Sequence, residues 1–180
     1  MQRDPSVKLS INLSLGELTT TTNAALQAQN RDLTDQQVDK LAILARHGEA
    51  IRAICGSPVH VHSGYRCDKL NGSTAGSSKT SQHPSCEAMD FDVNGQPIHE
   101  SFDKLMSAAK DGRFTFGQLI LESADRGYKD AKGNEVVATW CHCSVIGSLP
   151  KEKVGQAMRM VSWADGVQHY ELVQKFAFPG

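Results

Sequence analysis

Ser81-Gln82-His83-Pro84-Ser85-Cys86-Glu87-Ala88-Met89-Asp90-Phe91-Asp92-Val93-Asn94-Gly95 is the stretch on which the fold turns. It begins at the end of a polar segment, residues 71–82, whose Gly, Ser and Thr read as a long loop. Residues 88–93 then form a run stopped by Asn94-Gly95, a strong turn pair, and read as a strand. Working outward, Val59-His60-Val61-His62-Ser63 alternates behind the stop signal Gly56-Ser57-Pro58 and reads as another strand. Ile98, Phe102, Leu105, Met106 and Ala109 share one face of a helix over 98–109. Gln118–Glu122 is a short, mostly apolar strand, and a further strand lies within 136–145 around Trp140-Cys141-His142-Cys143. Residues 158–164 and 167–173 flank Asp165-Gly166, a hairpin signal.

The N-terminal part is helical. Ser14 and Glu17 form a capping box for a brief helix, and Thr34 and Gln37 form another for the clearest one. There Val38, Leu41, Ala42 and Ala45 recur on one face, the pattern runs on to Ile51 and Ile54, and Gly48 is a weak point. Thr19–Asn23 reads as a loop or a helix start. Late in the chain strands follow one another without regular helical crossovers. The expected fold is therefore α+β, with a small mainly antiparallel sheet and helices packed on one side. One domain over 1–180 is expected: a helical part (about 1–56), a core (about 57–146) and a helix-and-hairpin tail (about 147–180).

The 180 residues hold 19 Lys+Arg against 20 Asp+Glu, a formal net charge of −1. That excludes a strongly basic surface, so nucleic acid is not an expected partner. Mean hydropathy is −0.37, and no apolar run approaches the roughly 20 residues of a membrane span. The opening residues are polar, with no apolar signal-peptide core behind them. Five Cys, an odd number, argue for reduced thiols and synthesis in a reducing compartment such as the cytoplasm. A monomer is expected.

His83, Asp90 and His142 share the chemistry of one zinc site. Catalytic zinc commonly takes three His and Asp/Glu ligands and keeps an open position for water. On spacing alone the competing reading stands: His83 caps a turn, Asp90 bonds backbone amides and His142 fills a half-buried strand position.

Five ordered motifs sharpen this: Ser63-Gly64-Tyr65-Arg66, Leu70-Asn71, Ser81-Gln82-His83, Ala88-Met89-Asp90-Phe91 and Trp140-Cys141-His142-Cys143-Ser144. Together they resemble the M15 zinc peptidases, which include D-alanyl-D-alanine carboxypeptidases and phage peptidoglycan endopeptidases. The likeness is greatest to the phage-type subgroup and extends over roughly residues 8 to 173. It implies a hedgehog/DD-peptidase-like fold and Zn2+ held by His83, Asp90 and His142. It also implies Arg66 beside the metal, where a fixed cationic fork suits a substrate carboxylate or an oxyanion. The alternative for Arg66 is a structural ion pair with Glu122 or Asp68. Ser81 and Gln82 are expected near the metal or the substrate, and Trp140 as a cleft wall or a packing residue.

Several M15 branches place an acid three residues before the last His ligand, and here that position is Thr139. Glu122 is the nearest acid in a plausible place for the general base. Its alternative is to orient His142 or pair with Arg66. Cys141 and Cys143 flank His142 and so should face away from the metal. His60 and His62 share a strand face. They read as a satisfied pair near the cleft, with a second metal site as the alternative.

The resemblance implies the peptide stem or cross-bridge of bacterial peptidoglycan as substrate. A phage lysin or virion-associated wall hydrolase, reaching the wall after release or within a particle, fits best. The alternatives are a bacterial D-Ala-D-Ala carboxypeptidase and a zinc-containing module without catalysis.

Overall fold

Two capping boxes start the helical part. Ser14 caps α1 (Leu15–Leu18): its hydroxyl accepts from the Glu17 N–H, and the Glu17 carboxylate accepts from the Ser14 N–H. Thr34 and Gln37 repeat the arrangement at α3 (Asp35–Cys55), which ends on Gly56 in the left-handed region, φ 72°. A 3-10 turn (Ala24–Leu26) and α2 (Gln27–Asn30) lie between them. The structure, a computed structural model, describes residues 2–74, 77–78, 80–122, 140–164 and 167–178.

Gly48 costs α3 helix propensity and also sits where the helix meets its neighbours. It is a point of closest approach, since a Cβ there would lie 2.6 Å from Leu13 Cδ1 and 3.4 Å from Met89 Cε.

The strands are β1 (Val59–Ser63), β2 (Ala88–Val93), β3 (Gln118–Glu122), β4 (Trp140–Ser144), β5 (Gln156–Ala164) and β6 (Val167–Lys175). α4 (Asp68–Ser73) follows β1, and α5 (Ile98–Lys110) follows β2. All six strands form one sheet in the order β1-β2-β4-β3-β5-β6. Every pairing is antiparallel except β3 with β5. The expected α+β fold with a mainly antiparallel sheet is therefore present. The tail differs from expectation: among the described residues after 146 there are turns and the β5–β6 hairpin, with no helix. Here β5 pairs with the five-residue β3 on one side and the nine-residue β6 on the other, so the segment extends the sheet. Asp165 and Gly166 lie outside the described residues, while Ala164 and Val167 on either side of them pair.

Alternation divides the sheet into two chemically different faces. Met89, Phe91 and Val93 of β2, Leu119 of β3, and Cys141 and Cys143 of β4 are buried. Both α3 and α5 pack on β2, and Leu41, Leu44 and Leu105 are fully buried in the same core. Each large apolar side chain removed from water contributes about 1.5–3 kcal/mol. The intervening residues, His60, Asp90, Asp92, Glu122 and His142, occupy the other face. Among the described residues no helix is long and apolar enough to cross a membrane.

Candidate metal centre

Strand register creates the centre. Asp90 and His142 are direct partners across β2 and β4, which places their side chains side by side. His142 Nδ1 lies 3.0 Å from Asp90 Oδ1. His83 reaches the same carboxylate oxygen from the turn before β2, with Nε2 at 3.3 Å. One ligand atom from each of the three residues falls within 4.8 Å of the others.

The turn carrying His83 is held by backbone bonds. The Gln82 carbonyl accepts from the Ser85 and Glu87 N–H groups, and the His83 carbonyl accepts from Cys86. Cys86 adopts φ 61°, a conformation uncommon for a residue with a side chain. The Ser81 hydroxyl accepts from the His83 N–H at 3.4 Å. Gln82 is buried, and its side-chain amide has no hydrogen-bond partner. Ser81 and Gln82 thus both lie in the turn that presents His83.

His83 Nδ1 donates to the Gly64 carbonyl at 2.5 Å. That bond keeps the proton on Nδ1 and leaves the Nε2 lone pair toward Asp90. Gly64 is required at that spot, because a Cβ would lie 2.4 Å from the Leu18 carbonyl oxygen. Asn30 locks the same loop from behind. Its side-chain amide donates to the Thr19 and Tyr65 carbonyls at 2.9 and 3.0 Å and accepts from the Cys67 N–H at 2.8 Å. Sequence reasoning missed Asn30, since a single Asn in a short helix carries no pattern.

Arg66 lies beside the triad. Its Nε donates to Ser63 Oγ at 2.8 Å, and one terminal nitrogen bonds Asp90 Oδ2 and lies 3.0 Å from His83 Nε2. Its ionic partner is Asp90, not Glu122 or Asp68.

Protonation states suit a cation. Burial opposes charge on Asp90, yet His83 and His142 hold its carboxyl well below the usual range. Burial lowers His83, with Asp90 pulling the other way. A charged carboxylate beside a neutral imidazole is what metal ligation requires.

Glu122 is opposite Trp140 across β3 and β4, two positions along from the Ile120–His142 pair and so on the same face of the sheet. It is buried, and burial raises its pKa above the ordinary carboxylate value. The Tyr170 hydroxyl, from β6, donates to both its oxygens at 2.9 and 3.0 Å. Tyr170 was also missed. It is 48 residues away in sequence, and only the return of the hairpin brings it to Glu122. Thr139 lies outside the described residues.

A cleft of about 540 Å³ opens on the centre, lined in part by Thr20, Thr21, Thr22, Asn23, Arg66, Asp90 and Trp140. Trp140 is thus a cleft wall, and Thr19–Asn23 is a loop.

All five cysteines are free and buried. Cys141 and Cys143 lie on the core face, as strand alternation requires. Burial pushes the Cys86 thiol up to about 12 and raises Cys141 and Cys143 as well. None of these three is an activated thiolate.

A family model described as Peptidase M15 matches residues 11–125. That span contains Arg66, His83, Asp90 and Glu122 and stops before His142. No curated protein matches the chain.

Proposed function

Because the chain belongs to the peptidase M15 family, we propose that it is a zinc-dependent hydrolase of peptide bonds in bacterial peptidoglycan stems or cross-bridges. The observation that carries this reading is the convergence of His83, Asp90 and His142 within 4.8 Å beside Arg66. Two imidazoles and one carboxylate are a catalytic zinc set, and the Gly64 carbonyl supplies the outer-shell bond that such a His ligand needs. When bound, zinc supplies a Lewis acid that polarises a carbonyl and acidifies water.

The protein's own groups do the rest. Ser63 fixes the Arg66 guanidinium so that its N–H groups meet a substrate carboxylate or the charge developing on the scissile carbonyl oxygen. Glu122 takes the proton from the attacking water and returns it to the leaving amine. Its raised pKa brings it closer to the operating pH, where such transfers work best. Trp140 and the Thr20–Asn23 loop bound the cleft that receives the peptide. A phage lysin or virion-associated role agrees with five free, buried thiols.

Purified protein is expected to clear a peptidoglycan suspension and to stop clearing in excess chelator. Mass spectrometry of the released fragments then names the bond. Undiminished clearing in chelator would refute the metal requirement. Thr139 at the acid position of several branches favours one second reading, a zinc-binding module without hydrolysis. It predicts retained zinc, wall binding and no released fragments.

A further inference from the structure

We propose that His60, His62 and Asp92 form a second site for a divalent transition metal, separate from the His83–Asp90–His142 centre. The three offer ligand atoms that all lie within 4.8 Å of one another. His60 and Asp92 are direct cross-strand partners on β1 and β2. The register then shifts between Val61 and Ser63, a bulge in β1 at His62. Bulges re-aim side chains, and here His62 turns onto the same carboxylate as His60. Asp92 divides its oxygens between them: Oδ2 is 2.9 Å from His62 Nε2, and Oδ1 is 3.6 Å from His60 Nδ1. The two rings meet edge to face at 4.7 Å.

The donor set decides the class of ion. Two imidazoles and one carboxylate suit Zn2+, Ni2+, Co2+ or Cu2+, whereas Ca2+ and Mg2+ prefer all-oxygen shells. The side chain of His60 is 68 % exposed and those of His62 and Asp92 are each 35 % exposed. An ion can therefore enter from solvent, and coordination positions stay open. His62 also lines the cleft that contains Arg66, Asp90 and Trp140.

The site is a neighbour of the first centre, not half of a bridged pair. Asp92 follows Asp90 by two residues, about 7 Å along a strand, while paired catalytic metals lie about 3.5–4 Å apart. The proposal stands on its own residues and holds whether or not the first centre binds zinc.

Its test is metal stoichiometry on the tag-free full chain, read by calorimetry with Zn2+ and by the absorption spectrum with Co2+. The variant His60→Ala with His62→Ala is expected to lose one equivalent of metal relative to the parent and to keep the parent's circular dichroism. His83→Ala with His142→Ala is expected to retain that equivalent. Asp92→Asn is expected to weaken it by about tenfold or more, the size of loss known even for outer-shell partners. Metal uptake unchanged by the His60/His62 substitutions would overturn the proposal, and so would displacement of the equivalent by Mg2+ at concentrations comparable to zinc. Loss of the equivalent in the His83/His142 variant alone would assign it to the first centre and overturn the proposal too.

Discussion

Asp90 and His142 face each other directly across β2 and β4, with Oδ1 and Nδ1 3.0 Å apart, although 52 residues separate them in sequence. The same carboxylate also receives His83 and Arg66. Three side chains that carry or can carry positive charge are thus held around one buried anion, which makes Asp90 the organising residue of the centre.

Asp90→Asn should destabilise the metal-free protein by about 3 kcal/mol. Removing one member of a buried pair leaves Arg66 as an uncompensated cation, at a cost of roughly 3–5 kcal/mol in comparable cases. Urea unfolding of both proteins in chelator measures the difference. A change near zero would mean that Arg66 escapes to solvent when its partner is lost.

Glu122→Gln should lower kcat by about 10²–10⁴-fold with zinc content unchanged, the range for losing a general base. Full activity in this variant would remove Glu122 from the chemistry.

Tyr170→Phe should move the acid limb of the pH profile upward. The Tyr170 hydroxyl donates to the Glu122 carboxylate and so lowers a pKa that burial raises. Without that donor the charged form is less favoured, and Glu122 deprotonates only at higher pH. The kcat/KM profile of the variant checks the sign.

Metal-free protein should lose stability as pH falls from 6.5 to about 4, through His47. His47 stacks on Phe114 with ring centroids 4.8 Å apart and lies against Cys143. Burial lowers its pKa from 6.5 to about 4. The unfolded chain therefore takes up the proton first, so the stability tied to neutral His47 is complete above 6.5 and withdrawn between 6.5 and 4. The integrated effect is up to about 3 kcal/mol. His47→Leu should flatten this part of the stability profile, as read by denaturant titrations at pH 7.5 and 4.5. Asp90 has a depressed pKa, and its contribution is lost only below the ordinary Asp range.

Asn30→Ala should cost roughly 1–3 kcal/mol for each buried backbone partner it leaves unpaired. It should also weaken metal binding, because the loop that carries Gly64 and Arg66 loses its anchor. Thermal melts and zinc titration read the two effects separately.

Local signals were legible wherever the chemistry was local. The two capping boxes, the stop at Gly56 and the strand at 88–93 can be read along the chain because capping, turn formation and alternation involve residues a few positions apart. In the tail the hairpin around Asp165-Gly166 was legible for the same reason. The helix expected beside it is absent among the described residues, and the parallel pairing of β5 with the distant β3 has no local signal. Gly48 shows the same limit: helix propensity marks it as weak, and only the folded structure shows that Leu13 and Met89 pack close over it.

By itself the sequence determined which residue types were available for a metal and which face each would take. Period-two alternation sets His142 opposite to Cys141 and Cys143, and Asp90 opposite to Met89 and Phe91. The tertiary structure decided which residues meet. The β2–β4 register gives Asp90 to His142, the fold of the loop gives Arg66 to Asp90, and the hairpin gives Tyr170 to Glu122. It also gives both His60 and His62 to Asp92 through a bulge. Such pairings join residues far apart in the chain, and they arise only when burial of the common core brings the strands into register.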